Sequence, residues 1–185
     1  MGILEIIALI STIVCVVLSA RENILAWPIG IISVLSLIGV YIDSGLYGQI
    51  VLQLVFLVQC IIGWVNWGKK DGISPNFKEK QPFIISLLLT ITLGVFYGIV
   101  VILLNGGKNQ LFDYIDGISA FIALLGNWYL IKKTLQAWPL FMTYNILVGF
   151  LLASQGIYLL TLLNIILFFI SFNTYRTWKR NLNVV

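Results

Sequence analysis

Long apolar runs separated by short polar segments make up most of the chain. A helix of about 20 mostly apolar residues crosses the hydrocarbon core of a bilayer, and the runs have about this length. Pro28 and Pro139 each fall in the first turn of a run, where the missing N–H of proline costs no hydrogen bond. The pattern predicts seven transmembrane helices, over residues 3–19, 24–42, 46–67, 82–104, 115–135, 137–154 and 157–177.

Residues 5–70 recur without a gap 111 positions further along the chain. Matched acidic, tryptophan, proline, glycine and tyrosine residues in one register make a chance likeness of apolar segments a poor explanation. Internal repeats of apolar helices are typical of secondary transporters, whose substrate sites lie between the repeats. The matched pairs include Glu5 and Asp116, Trp27 and Trp138, Pro28 and Pro139, Gly45 and Gly156, Tyr47 and Tyr158, Gln53 and Asn164, and Trp67 and Trp178.

One additional helix separates the two triplets, so the sequence predicts an all-α membrane protein with a 3+1+3 plan. Three crossings reverse the direction of the chain and a fourth restores it, which gives both triplets the same orientation. The repeats are then parallel, as in the SWEET transporters. We expect a first repeat over residues 1–70, a cytoplasmic polar linker over 71–81, a connecting helix within 82–110 and a second repeat over 111–185.

The positive charges predict the orientation of the bundle. In the predicted topology, 10 of the 11 Lys and Arg residues lie on the same side of the membrane as the C-terminus, and Lys108 lies on the other side. Cytoplasmic loops carry the excess of positive charge, so the N-terminus is predicted outside and the C-terminus inside the cell. With 60% hydrophobic and 10% charged residues the chain needs lipid as its solvent. The net charge of +4 is scattered beside the membrane and does not indicate nucleic-acid binding.

The sixth predicted helix carries the most distinctive candidate site. Trp138, Phe141 and Asn145 share one face, with Gly149 a turn further on. Two aromatic rings suit stacking on a flat ligand ring, and an amide both donates and accepts hydrogen bonds. The alternative is that Trp138 is an interfacial anchor and Phe141 faces lipid. The first repeat has different residues after its tryptophan: Trp27, Gly30 and Val34.

Uncharged polar side chains on the third and seventh helices extend this candidate site, and we predict that they contact a neutral ligand rich in hydroxyl or amide groups. The alternative is hydrogen bonding between helices, worth about 0.6 kcal/mol on average in membranes. The residues are Gln49, Gln53, Gln59, Thr161 and Asn164.

A second set of matched residues is predicted to be structural or to take part in gating. Glu5 and Asp116 provide one acid per repeat near the outer end of a helix, where the helix dipole stabilises an acid. The alternative for these acids is a proton- or cation-coupling site. The other members of the set are Trp27, Gly45, Gly156, Tyr47 and Tyr158.

Catalysis and metal binding find no support in the sequence. The chain has no histidine, its two cysteines are not closely spaced, and it contains no nucleophile, zinc or phosphate-loop motif. We therefore expect neither an enzyme nor a cofactor or metal site.

A family resemblance follows from the order and spacing of these residues together with the 3+1+3 plan. In the first half it is carried by Glu5, Trp27-Pro28-x-Gly30, Leu46-Tyr47, Gln53 and Gly63-Trp64-x-x-Trp67. In the second half it is carried by Asp116, Trp138-x-x-Phe141-x-x-x-Asn145, Gln155-Gly156-x-Tyr158, Asn173, Arg176 and Trp178. With these residues the chain resembles the PnuC family of bacterial vitamin transporters over nearly its whole length.

The resemblance implies facilitated uptake of a vitamin precursor across the bacterial inner membrane, with nicotinamide riboside as the first candidate. It also implies a homotrimer, and trapping of the substrate by a cytoplasmic kinase. The family carries a Trp-x-x-Trp signature on the sixth helix that stacks on the substrate, and the matching residues here are Trp138 and Phe141. Phenylalanine keeps the ring face and lacks the indole N–H, so thiamine or riboflavin is an alternative substrate. A vitamin-binding membrane subunit that needs a partner to transport is the alternative of another class.

Overall fold

The computed structural model describes residues 2–43, 47–69, 83–105 and 110–182, and all the regular structure in these ranges is helical. The all-α prediction with seven helices is confirmed. Four predicted features lie outside the described residues or side chains: the turn at Gly45, the linker over 71–81, and the side chains of Tyr47 and Gln49. The helices are α1 Ile3–Ala20, α2 Ala26–Asp43, α3 Tyr47–Trp67, α4 Phe83–Asn105, α5 Gln110–Ile131, α6 Ala137–Ser154 and α7 Tyr158–Leu182.

Most of these helices are long and apolar enough to cross a membrane. Among the described residues, α1, α3, α4, α5 and α6 meet this requirement by length and composition. Helix α2 has a shorter apolar stretch, Ala26–Ile42. Helix α7 is 25 residues long and ends in a basic turn with Lys179 and Arg180. Many large apolar side chains are exposed, as expected of a protein whose solvent is lipid.

Helix α5 departs most from its predicted bounds. It begins at Gln110 rather than residue 115 and ends at Ile131 rather than residue 135. The early start places Asp113 in the first turn, where the helix dipole favours a carboxylate. Asp116 therefore lies one turn deeper in the helix than predicted, and the expectation that the dipole at the helix start stabilises it was wrong.

The described contacts divide the chain into two compact units. The first contains residues 1–76 together with Leu130–Lys133, and the second contains residues 77–129 and 134–185. In the first unit α2 packs against both α1 and α3, and in the second α6 packs against α7. The second unit includes the connecting helix α4, and the last two residues of α5 and the two that follow it pack with the first unit.

A tryptophan pair is repeated in both units. In the first unit the rings of Trp27 and Trp67 meet edge to face with centroids 5.2 Å apart. In the second unit Trp138 and Trp178 meet in the same way at 5.3 Å. Both pairs are buried. Since each pair joins the second and third helix of its repeat, the predicted internal symmetry extends to side-chain packing.

The turns after α1 and α5 are also equivalent. Each helix ends in a Schellman motif, in which the Asn23 N–H donates to the Leu18 carbonyl at 2.9 Å and the Thr134 N–H donates to the Tyr129 carbonyl at 3.0 Å. The left-handed residue of the motif is not glycine in either turn: Glu22 has φ 53° and Lys133 has φ 51°. Helix α6 ends in the same motif with the usual residue, Gly156, at φ 75°.

Helices α4 and α5 approach each other through glycines. A Cβ atom on Gly94 would lie 2.6 Å from the Cα of Ile118, and one on Gly98 would lie 3.0 Å from the Cα of Tyr114. The Gly94-x-x-x-Gly98 spacing is the small-residue pattern that permits close backbone contact of membrane helices. Backbone atoms cannot move aside as a flexible side chain would, so this contact requires glycine.

We expect Gly94→Ala to destabilise the protein by about 1–3 kcal/mol, because the added methyl group meets backbone rather than a mobile side chain. Thermal unfolding in detergent measures the effect. Gly149→Ala is the matched control, since its Cβ would lie 3.6 Å from the Cβ of Asn164, an ordinary contact distance. Equal melting temperatures for the two variants would contradict the close α4–α5 contact.

Candidate binding site

A groove of about 290 Å³ lies between α6 and α7 in the second unit. Three of its lining residues are polar, and the rest are apolar or glycine. The polar three were predicted from the sequence as one site, and the structure brings them together. The lining residues are Asn145, Ile146, Gly149, Phe150, Thr161, Asn164, Ile165 and Phe168.

Asn145 is the polar residue of the groove whose side-chain oxygen lacks a hydrogen-bond donor. Its side chain is 5% exposed, and Oδ1 has no hydrogen-bond partner among the described residues. Leaving a buried acceptor unsatisfied costs about 1–3 kcal/mol. The first repeat avoids this cost, because the equivalent residue is Val34, which is also buried. Asn145 therefore offers an acceptor to an N–H or O–H group that enters from outside the chain.

Thr161 and Asn164 complete the polar wall on α7. The Thr161 hydroxyl donates to the Ile157 carbonyl at 2.9 Å, and the Asn164 Nδ2 donates to the Leu160 carbonyl at 2.8 Å. Both bonds run back along the helix and fix the side-chain positions. Thr161 keeps acceptor lone pairs, and Asn164 keeps an acceptor oxygen and a second amide proton. These two residues can accept hydrogen bonds from hydroxyl groups, and Asn164 can also donate.

An aromatic and aliphatic surface faces these polar groups. Phe168 lines the groove and meets Phe169 edge to face at 5.6 Å. Gly149 leaves space on α6, because its missing side chain would point toward Asn164. The groove therefore combines a ring face, an aliphatic wall and several hydrogen-bonding atoms, a combination typical of sites for small molecules.

The Trp138–Phe141 pair has a different setting from the predicted stacking platform. Trp138 is 1% exposed and packs edge to face on Trp178, as Trp27 does on Trp67 in the first repeat. The Trp138 and Phe141 rings are inclined by 64°, and neither residue lines the groove. Phe141 covers Gly126 of α5, where a Cβ atom would lie 3.1 Å from the ring. In this structure the pair forms part of the packing of the second unit, and its contact with substrate stays a prediction.

The predicted polar residues of the third helix belong to the first unit. Gln53 is 7% exposed and Gln59 is 9% exposed, so both are buried amides. Their burial agrees with helix-to-helix bonding and with ligand contact alike, and their role in binding stays a prediction.

Several residues of the structural or gating set have clear local positions. The Gly2 N–H donates to the Glu5 Oε2 at 2.9 Å, so Glu5 caps the start of α1. Trp27 is buried over Gly63, where any side chain would collide with the indole ring. Gly156 forms the left-handed turn after α6. Tyr158 is 75% exposed at the start of α7.

Sequence reasoning missed the apolar walls of the groove, Ile146, Phe150 and Ile165. All three are apolar residues on helices that are apolar throughout, so no local signal separates them from lipid-facing neighbours. The only usable signal was their spacing from Asn145 and Asn164 along the helix.

Comparison with known proteins agrees with the helical fold. The profile of a family described as nicotinamide mononucleotide transporter matches residues 2–180. The nicotinamide riboside transporter PnuC of Escherichia coli (strain K12) is 22% identical, over 95% of this chain and 84% of that protein, and its counterpart from Shigella flexneri has the same values. The crystal structure of a vitamin B3 transporter PnuC has the same fold, with a TM-score of 0.67 over 96% of this chain and 80% of that one, at 22% identity.

Repeated bundles of apolar helices are typical of membrane transport proteins, and the relatives are named as transporters, a class without enzymatic activity. The extent of the family match makes the assignment specific: this chain belongs to the nicotinamide mononucleotide transporter family. It is a multi-pass protein of the bacterial membrane.

We expect Trp27→Ala and Trp138→Ala each to destabilise the protein by about 3–5 kcal/mol, because each removes a buried indole with the same kind of tryptophan contact. Denaturation in detergent, followed by helix content, measures both variants. A stable Trp138→Ala variant beside an unstable Trp27→Ala variant would contradict the packing role of Trp138 and favour direct contact with substrate.

Proposed function

We propose that the protein is a facilitative transporter that takes up nicotinamide riboside. The observation that carries the proposal is the buried, unpaired Oδ1 of Asn145 at a groove with Thr161, Asn164 and Phe168. The carboxamide and ribose hydroxyls of this nucleoside supply the N–H and O–H donors that Asn145 lacks. Membership of the family supports the same substrate class, since relatives are named as nicotinamide riboside transporters.

The charge of the groove favours the nucleoside over the mononucleotide. None of the eight lining residues is charged. A phosphate dianion taken out of water needs arginine, lysine or a helix N-terminus to offset the loss of hydration. Nicotinamide riboside carries one positive charge on its pyridinium ring, which the aromatic face of Phe168 can accept, and its neutral hydroxyls need only the amide and hydroxyl groups that the groove offers. The volume of about 290 Å³ also lies at the lower end of small-molecule sites.

The transport cycle in this proposal is passive. The two triplets alternate between outward-open and inward-open forms, and phosphorylation by a cytoplasmic kinase traps the nucleoside inside the cell. The functional assembly is a homotrimer. Asp116 is then part of the scaffold rather than a coupling site, a reading supported by its repeat partner Glu5, whose carboxylate caps the start of α1.

Asn145→Val is expected to reduce affinity for nicotinamide riboside by about tenfold or more, the effect of losing roughly 1.4 kcal/mol from a buried hydrogen bond. The variant should fold, because valine occupies the same place in the first repeat as Val34. Calorimetric titration of the purified protein measures the affinity. The matched control is Thr143→Val on the same helix, an exposed residue whose hydroxyl donates to the Pro139 carbonyl at 3.0 Å. Unchanged affinity in Asn145→Val would contradict the groove as the binding site.

A panel of ligands tests the substrate. Liposomes that contain only this protein should take up nicotinamide riboside and leave it chemically unchanged. Nicotinamide mononucleotide should compete weakly, because its phosphate has no counter-charge in the groove. Uptake of thiamine or riboflavin instead would indicate that Phe141, which stands where the family has a second tryptophan, determines which vitamin is bound. Binding without uptake would indicate a subunit that needs a partner.

A further inference from the structure

The exposed side of α7 changes from apolar to basic near the end of the helix. Phe169 and Phe172 are 57% and 40% exposed, and the exposed residues that follow them on this side are Arg176 and Lys179. The four residues follow one another at intervals of three and four, which is the spacing of a single helix face. The change from phenylalanine to arginine indicates the level at which the hydrocarbon core gives way to the lipid headgroups.

Three exposed cations lie together at this end of the helix: Arg176, Lys179 and Arg180. We call them the basic cluster of α7. They fall within four residues, a rise of about 6 Å along the helix axis. Among the described residues, none of the three forms an ion pair with a carboxylate. Their positive charge is therefore available to an anion from outside the chain.

Aromatic rings of the same helix hold two of these side chains. The Arg176 guanidinium lies 5.7 Å from the ring centroid of Phe172, and the Lys179 ammonium lies 5.9 Å from that of Tyr175. Both distances are within the range of cation–π attraction. Trp178, between the cations in sequence, is 2% exposed and packs against a second buried indole. The basic cluster is thus presented by a helix end that is anchored in the second unit.

The first repeat lacks this cluster. The residues 111 positions earlier are Val65, Gly68 and Lys69, so that one cation stands where the second repeat has three. Helix α3 otherwise ends in the same way, with the buried Trp67 as the counterpart of Trp178. A cation interacts favourably with the C-terminus of any helix. This effect applies to both repeats, so it does not explain the two additional cations of the second.

We propose that the basic cluster of α7 binds the phosphate of an anionic phospholipid, whose acyl chains lie along Phe169 and Phe172. Arginine side chains bind phosphate oxygens in pairs, and lysine adds a compact positive charge. The exposed phenylalanine rings directly adjoin the cations, and acyl chains would cover them, whereas a soluble anion would leave them bare. None of these residues lines the groove between α6 and α7, so the lipid site is separate from the proposed substrate site.

Native mass spectrometry of the full chain in a neutral detergent tests the site. The protein is titrated with dioleoyl phosphatidylglycerol and with dioleoyl phosphatidylcholine, which has the same acyl chains and no net charge. We expect the wild type to bind the anionic lipid about a hundredfold more tightly, since each cation near a lipid phosphate contributes about fivefold. The triple variant Arg176→Gln, Lys179→Gln and Arg180→Gln should bind the two lipids equally. Equal binding of the two lipids by the wild type would overturn the proposal.

A second triple variant is the matched control, because it removes the same charge from separate places: Arg21→Gln, Lys69→Gln and Lys132→Gln. This variant should keep the preference for phosphatidylglycerol. If it loses the preference as fully as the first triple variant, the overall charge attracts the lipid and the cluster is not a site.

Two further measurements separate the lipid from other occupants of the cluster. Glycerol phosphate carries the phosphate without acyl chains and should displace the lipid only at concentrations about a hundredfold higher. Displacement at equal concentration would assign the cluster to a soluble phosphate ester and overturn the proposal. Light scattering should give the same oligomeric state for the wild type and the first triple variant. A variant that dissociates while it keeps the lipid preference would assign the cluster to a contact between copies of the chain, which would also overturn the proposal.

Discussion

A hydrocarbon solvent offers no hydrogen bonds, and this constraint governs the structure down to single side chains. Backbone groups satisfy one another within helices because lipid cannot. Hydroxyl side chains follow the same rule: Ser11, Thr92 and Ser171 each donate to the carbonyl four residues earlier in their helix. Against this background, a buried polar atom without a partner is costly and conspicuous. Among the described residues five buried polar atoms lack a partner, and the Asn145 Oδ1 is the one of them that belongs to a residue lining the groove.

The helices and the repeat could be predicted because both depend on local pattern. The length of each apolar run predicts a helix, and the matched tryptophans and prolines fix the register in which the two repeats align. The start of α5 was misplaced because polar residues before the apolar run, such as Asp113, extend the helix into a region that hydropathy assigns to a loop. The orientation of the chain in the membrane stays a prediction from charge.

The candidate site was predictable only in part. Asn145, Thr161 and Asn164 were recognised because polar residues within apolar helices are rare and need a reason. Trp138 was harder to interpret, since an aromatic residue serves equally as a packing group or a binding surface. In the structure Trp138 packs on Trp178 of another helix. The spacing of residues along one helix cannot predict such a contact. The groove walls escaped notice because every surface of such a helix is apolar.

The two repeats keep one backbone plan and exchange bulk between helices. In the first repeat Gly30 faces the thiols of Cys15 and Cys60, each 3.3 Å from where its Cβ would lie. In the second repeat the counterpart of Gly30 is Phe141 and the counterpart of Cys15 is Gly126. The large and small residues are thus exchanged, and the Phe141 ring packs against Gly126. Replacing Val34 by its counterpart Asn145 accompanies this exchange. Divergence in packing and the gain of polar groups thus occur in the same part of the second repeat.

The turns after α1 and α5 agree in backbone and differ in charge. Each holds a residue other than glycine at its left-handed position, Glu22 in the first and Lys133 in the second. The two side chains form an ion pair at 3.5 Å within the first unit. Equal charges at these two positions would repel, so the matched turns of the two repeats are not interchangeable.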